Sequence, residues 1–91
     1  MKLLYDFEVM DMGDEFVAVP VGEAASKFHG MLRMNKDAAE MFQLIQEHSV
    51  PEDVLAELLR RYPDLEKDDV GWDLCNFMNR LIAEGILDPR G

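Results

Sequence analysis

The spacing of apolar residues changes once along the chain, near Asn35. Before that point it has period two. Leu3, Tyr5, Phe7 and Val9 alternate with Leu4, Asp6, Glu8 and Met10, the pattern of a strand with one buried face. Asp11-Met12-Gly13-Asp14 predicts a turn, with Gly13 free to adopt positive φ. Phe16-Val17-Ala18-Val19 predicts a second strand, stopped by Pro20 because proline cannot donate to a ladder. Residues 20–26 are small and read as a loop. Phe28 to Met34 predicts a third strand, with Phe28, Gly30, Leu32 and Met34 on one side and His29, Met31 and Arg33 on the other.

After Asn35 the period is helical. Asn35 is the expected N-cap of a first helix, with Asp37 in its first turn and Ala38, Met41, Phe42 and Ile45 at i, i+3, i+4 and i+7. Ser49-Val50-Pro51-Glu52 has the form of a capping box. Val54, Leu55, Leu58, Leu59 and Tyr62 line the second helix, which Pro63 ends. Asp68 or Asp69 opens the third. Its stripe is Val70, Leu74, Phe77, Met78, Leu81 and Ile82, and Gly85 stands where a C-cap glycine belongs. Strands gathered before helices indicate an α+β fold, a three-stranded antiparallel sheet followed by three helices. At 91 residues the chain is expected to form a single domain over 1–91.

Charge narrows the function. There are 19 acids against 9 Lys and Arg, a formal net charge of -10. Phosphate binding needs clustered cations, so this excess argues against a nucleic-acid partner and against an anionic membrane surface. A basic partner, or simple solubility, suits it better. The chain opens with Met1-Lys2-Leu3-Leu4-Tyr5, like a signal peptide, but Asp6 interrupts the apolar run. No apolar run approaches the ~20 residues a membrane helix needs. Cys75 is the single cysteine, so no internal disulfide can form. A cytoplasmic protein is expected.

Candidate chemistry is sparse. His29 and His48 stand far from Cys75 in sequence, and no zinc-ligand spacing occurs. The run Asp64, Glu66, Asp68, Asp69 fails as a calcium loop, because Asp69 holds the glycine position and Cys75 the closing glutamate position. Cys75 follows Leu74 on an apolar helix and is expected to be a small buried or half-buried side chain. No phosphate loop or nucleophile elbow is present. No enzyme activity, metal or cofactor is expected. Trp72 is either an anchor for a partner or core packing at the entry of the third helix. Met34 and Met78 read as core filler, although methionine-rich surfaces can also form adaptable peptide grooves. The third strand can lie at the sheet edge, where Gly30 would allow another backbone to approach and a peptide to add as a strand.

Gly30-Met31-Leu32-Arg33-Met34-Asn35-Lys36-Asp37-Ala38-Ala39-Glu40-Met41-Phe42-Gln43-Leu44-Ile45 is a strand that leads through Asn and Ala-Ala into an apolar helix. Ser49-Val50-Pro51-Glu52-Asp53-Val54, Leu58-Leu59-Arg60-Arg61-Tyr62-Pro63, Asp69-Val70, Phe77, Leu81 and Gly85-Ile86-Leu87 follow in order. Over about residues 15 to 88 this set resembles the PqqD family, the small partner in pyrroloquinoline quinone biosynthesis, and its relatives the RiPP recognition elements. The family's usual Leu-Asn is Met34-Asn35 here.

The resemblance implies a winged-helix-like fold. It implies binding of the leader segment of a ribosomally made precursor peptide and its presentation to a modifying enzyme, often a radical S-adenosylmethionine enzyme. In the family the leader adds as a strand beside the third strand, in a groove bordered by the third helix. Carried onto this chain, the backbone of His29, Gly30, Met31, Leu32 and Arg33 would pair with the peptide, and Met31 and Arg33 would border it. Asp73, Asn76, Phe77 and Arg80 would form the helical wall. Two other readings stand beside this one: a small docking subunit that never touches peptide, and a winged-helix regulator, which the acidic third helix disfavours. An edge strand also permits a homodimer through edge pairing or swapping.

Overall fold

The computed structural model describes residues 1–28 and 30–90. Element order is β1 (Lys2–Leu3), β2 (Phe7–Asp11), β3 (Phe16–Pro20), α1 (Ala24–Lys27), β4 (Leu32–Met34), α2 (Lys36–Glu47), α3 (Pro51–Arg61), α4 (Lys67–Ala83) and β5 (Leu87–Asp88). The chain forms two compact units. Tyr5–Gln43 is a sheet unit, and Met1–Leu4 with Leu44–Gly91 is a helical unit.

In the sheet unit β2, β3 and β4 form the expected three-stranded antiparallel sheet, with β3 central. The β2–β3 turn is made by Gly13 at φ 96, whose N–H donates to the Asp11 carboxylate at 2.9 Å. Positive φ costs glycine nothing, and the aspartate side chain substitutes for a backbone turn. Phe7, Ala18, Pro20, Leu32 and Met34 are buried and share one face by register. Pro20 lies beyond the Ala18↔Leu32 pair, so its missing N–H removes no bond to β4. Tyr5, Phe28, Phe7 and Phe42 form a chain of ring contacts at centroid distances of 5.6–5.8 Å, with Phe7 edge-on to both Phe28 and Phe42. Asn35 caps α2 as expected: its Oδ1 accepts from the Ala38 N–H at 2.8 Å.

Three expectations of the sheet region need correction. The first strand does not run from Leu3 to Met10. The burial alternation persists through that stretch, but the strand breaks at Leu4–Asp6, and Lys2–Leu3 pairs with β5. The expected loop over 20–26 contains α1, which packs against β3. The third strand spans Leu32–Met34 only, because Phe28 closes α1 through its N–H to the Ala24 C=O, and Gly30 turns at φ 132. A Cβ at Gly30 would meet nothing within 4 Å, so within this chain its backbone angle, not crowding, calls for glycine.

In the helical unit α3 and α4 pack together and β1 pairs with β5, Leu3 opposite Leu87. The terminal ammonium of Met1 donates to the Ser49 C=O at 2.9 Å. Val54, Leu58, Val70, Leu74, Phe77, Leu81, Ile86 and Leu87 are buried. The capping box at Ser49 does not form. Val50 is the N-cap, no side chain caps the helix, and Pro51 takes the first helical position, where its lost N–H has no helical use. Tyr62 is the C-cap of α3 and is exposed, and α4 starts at Lys67 with Asp68 and Asp69 in its first turn. Cys75 is exposed, not buried: it lies about a third of a turn from the buried Leu74, toward solvent. On α3 the Arg60 guanidinium, bonded to Glu57 at 2.6 Å, holds that carboxyl below the usual carboxylate range. Arg61 lies 3.5 Å from the same carboxylate.

Candidate functional site: the β4 edge and the α4 face

β4 stands at one end of the sheet order. Which of its main-chain groups face outward follows from the hairpin. The Met12 N–H donates to the Glu15 C=O at 2.8 Å, and the Val21 N–H donates to the Asp6 C=O at 3.0 Å. Bonding directions alternate along an antiparallel strand. Val17 and Val19 therefore bond toward β2, and Phe16 and Ala18 toward β4. Their partners Met34 and Leu32 bond back to β3, which directs the N–H and C=O of Arg33 toward the outer edge.

Side chains follow the same alternation. Leu32 and Met34 are buried, whereas Met31 is 56% exposed and Arg33 is exposed. Met10, Val17 and Arg33 form one row across the outer face. The Arg33 Nε lies 3.6 Å from a Glu15 carboxylate oxygen. Such an exposed pair adds little stability but sets where the guanidinium rests. Glu15 escaped the sequence reading. Its signal was the two-residue turn at Gly13-Asp14, which sets Glu15 opposite Met12, two residues before Val17 and so on the same face in the row next to that of Arg33. His29, also expected here, lies outside the described residues.

The helical candidates belong to α4. Asp73, Asn76 and Arg80 are exposed along one side of the helix, and Arg80 lies 3.7 Å from Glu84. Phe77 is 7% exposed, so its side chain is core rather than an open wall residue. Trp72, at 69% exposure, is not helix-entry core packing. Among the described residues no group of three or more His, Cys, Asp and Glu is placed to hold a metal, and no helix is long and apolar enough to cross a membrane.

The profile of the family "Coenzyme PQQ synthesis protein D (PqqD)" matches residues 9–87. The chain belongs to the PqqD family. No curated protein matches it. Among solved structures it is similar to TbiB1, in the structure of TbiB1 in complex with the TbiA(beta) leader peptide. The two share a TM-score of 0.71 and 18% identity over 97% of this chain and 95% of that one. At that identity the likeness shows the fold. The three-stranded antiparallel sheet followed by helices is the fold the resemblance implied; here its edge strand is short and lies between the turn at Gly30 and the helix capped by Asn35.

Proposed function

We propose that this chain binds the leader segment of a ribosomally synthesised precursor peptide as a strand added to β4, and presents it to a modifying enzyme. The observation that carries this reading is the edge position of β4, with the main-chain groups of Arg33 directed outward, in a member of the PqqD family. The fold likeness to TbiB1, whose structure holds a leader peptide, supports it. Strand addition draws affinity from main-chain bonds and selectivity from alternate side chains. Met31 and Arg33 border the peptide. Asp73, Asn76 and Arg80 supply polar contacts from α4, and Phe77 supports that helix from beneath. The modifying enzyme is a radical S-adenosylmethionine enzyme, in pyrroloquinoline quinone biosynthesis or a related peptide pathway in the cytoplasm. The domain itself performs no chemistry.

An NMR titration with the leader of a precursor peptide encoded beside this gene tests the reading. Shifts concentrated on Gly30–Arg33 and α4, with a micromolar or tighter Kd, are expected, because docking orders a flexible segment at a cost. The absence of shifts at several hundred micromolar peptide would overturn it for that peptide.

A further inference from the structure

The helical unit carries a second surface that leader binding does not use. A groove of about 390 Å³ opens between α3 and α4. Its floor is aliphatic: Leu55 from α3, and Leu74, Met78 and Ile82 from α4. Leu55, Met78 and Ile82 are only half-buried. At about 3.6 residues per turn, this face of α4 is roughly opposite the one bearing Asp73, Asn76 and Arg80.

Gly71 also lines the groove. A glycine inside a helix costs about 1 kcal/mol relative to alanine. The packing does not require it, since an added Cβ would meet only Leu55 Cδ2, at 4.0 Å, an ordinary contact. Its effect is to keep the groove open beside Leu55. Trp72 stands next around the helix, 69% exposed, on the side of Cys75 and Asn79. Exposed tryptophan beside an apolar groove is the composition of a binding hot spot.

Charge decides the occupant. Among the described residues, Glu52 is the one charged residue lining the groove, and no Lys or Arg lines it. Asp53 is exposed in the first turn of α3, and Asp68 and Asp69 in the first turn of α4. A second copy of this chain would bring another formal charge of -10, which opposes self-docking. We propose that the α3–α4 groove docks a basic amphipathic helix of a partner protein, with apolar residues at i, i+3, i+4 and i+7 seated on Leu55, Leu74, Met78 and Ile82 and a Lys or Arg facing Glu52. This site stands independently of leader binding at β4.

The probe is a synthetic peptide of about fifteen residues, long enough to form a helix when docked, with leucines at that spacing and flanking lysines. Trp72, the single tryptophan, reports binding by its emission, and NMR shifts locate it. Binding is expected to shift Leu55, Met78 and Ile82. Glu52→Lys should weaken it about two- to fivefold, the range for one exposed ion pair. Met78→Glu should abolish it with circular dichroism unchanged. If Met78→Glu fails to fold, Glu52→Lys and a glutamate-flanked version of the probe still decide. The proposal is overturned by equal binding of the glutamate-flanked probe, by shifts on β4 instead, by no binding at several hundred micromolar, or by self-association that covers Trp72 without any probe.

Discussion

The main chain of Ile86 ties the end of α4 to the N-terminal strand. Its N–H donates to the Leu81 C=O at 2.9 Å, and its C=O accepts from the Leu4 N–H at 2.8 Å. The Gly85 N–H donates to the Ile82 C=O at 3.0 Å, which completes a Schellman motif. Leu81 and Ile86, the two positions that form the motif's apolar pair, are both fully buried. One residue therefore both stops the helix and anchors the pairing of β1 with β5.

Gly85 makes that stop possible at φ 76. Alanine there meets open space but enters the left-handed region, which costs about 1–2 kcal/mol. Gly85→Ala is expected to lower Tm by roughly 4–8 °C for each kcal/mol lost. Thermal unfolding measures it, and an unchanged Tm would refute the strain argument.

The two expected helix caps make a paired test. Asn35 bonds the Ala38 N–H, whereas Ser49 gives α3 no side-chain bond. Asn35→Ala should cost about 1 kcal/mol, with Asn35→Asp close to the parent. Ser49→Ala should change stability by less than about 0.5 kcal/mol. Equal losses in urea melts would show that the cap assignment is wrong.

Arg33 separates backbone from side chain at the β4 edge. Arg33→Ala keeps the N–H and removes the guanidinium beside Glu15. Arg33→Pro removes the outward N–H as well, at an edge position that tolerates proline. Arg33→Pro should weaken leader binding about tenfold more than Arg33→Ala, the loss of one well-made hydrogen bond. Calorimetric titration with the leader decides. Equal affinities of the two variants would argue against strand addition at this residue.

Glu57 carries a pH dependence. The Arg60 hydrogen bond lowers its pKa in the folded chain. The unfolded carboxyl therefore binds protons at higher pH than the folded one, so this contribution is full above the ordinary carboxylate range and lost as pH falls through the lowered value. The Tm difference between the parent and Glu57→Gln should be small, because the pair is exposed, and constant near neutrality. It should shrink below about pH 4. A difference that persists undiminished at about pH 2 would contradict the assignment to ionised Glu57.

Period and caps made much of this fold legible. The 3.6-residue spacing placed all three long helices, because each had one apolar stripe to bury. Asn35 and Gly85 marked two helix ends through requirements local to one turn of chain. Period two likewise placed Leu3, Tyr5, Phe7 and Val9 on the inner side and Leu4, Asp6, Glu8 and Met10 on the outer. It carried no information on which strand each would meet. That is why the pairing of Leu3 with Leu87 was missed: period two records which side of a strand is buried, whereas the ladder partner lies across the whole length of the chain.

The candidate edge divides in the same way. The exposed Met31 and Arg33, the buried Leu32 and Met34 and the capped helix after them are local consequences of residue order. That Arg33 directs its main chain outward depends on the phase of the β2–β3 hairpin carried across β3. Cys75 and Trp72 depended on packing too. Both sit on a helix whose stripe is apolar, and only the seating of α4 against α3 decided that their positions face solvent. Sequence alone determined the three long helices, the helix ends at Asn35 and Gly85 and the apolar sides of strand and helix, because those follow from interactions within a few residues. Tertiary structure decided strand partners, the outward edge and the open groove, because those depend on which distant surfaces come together to exclude water.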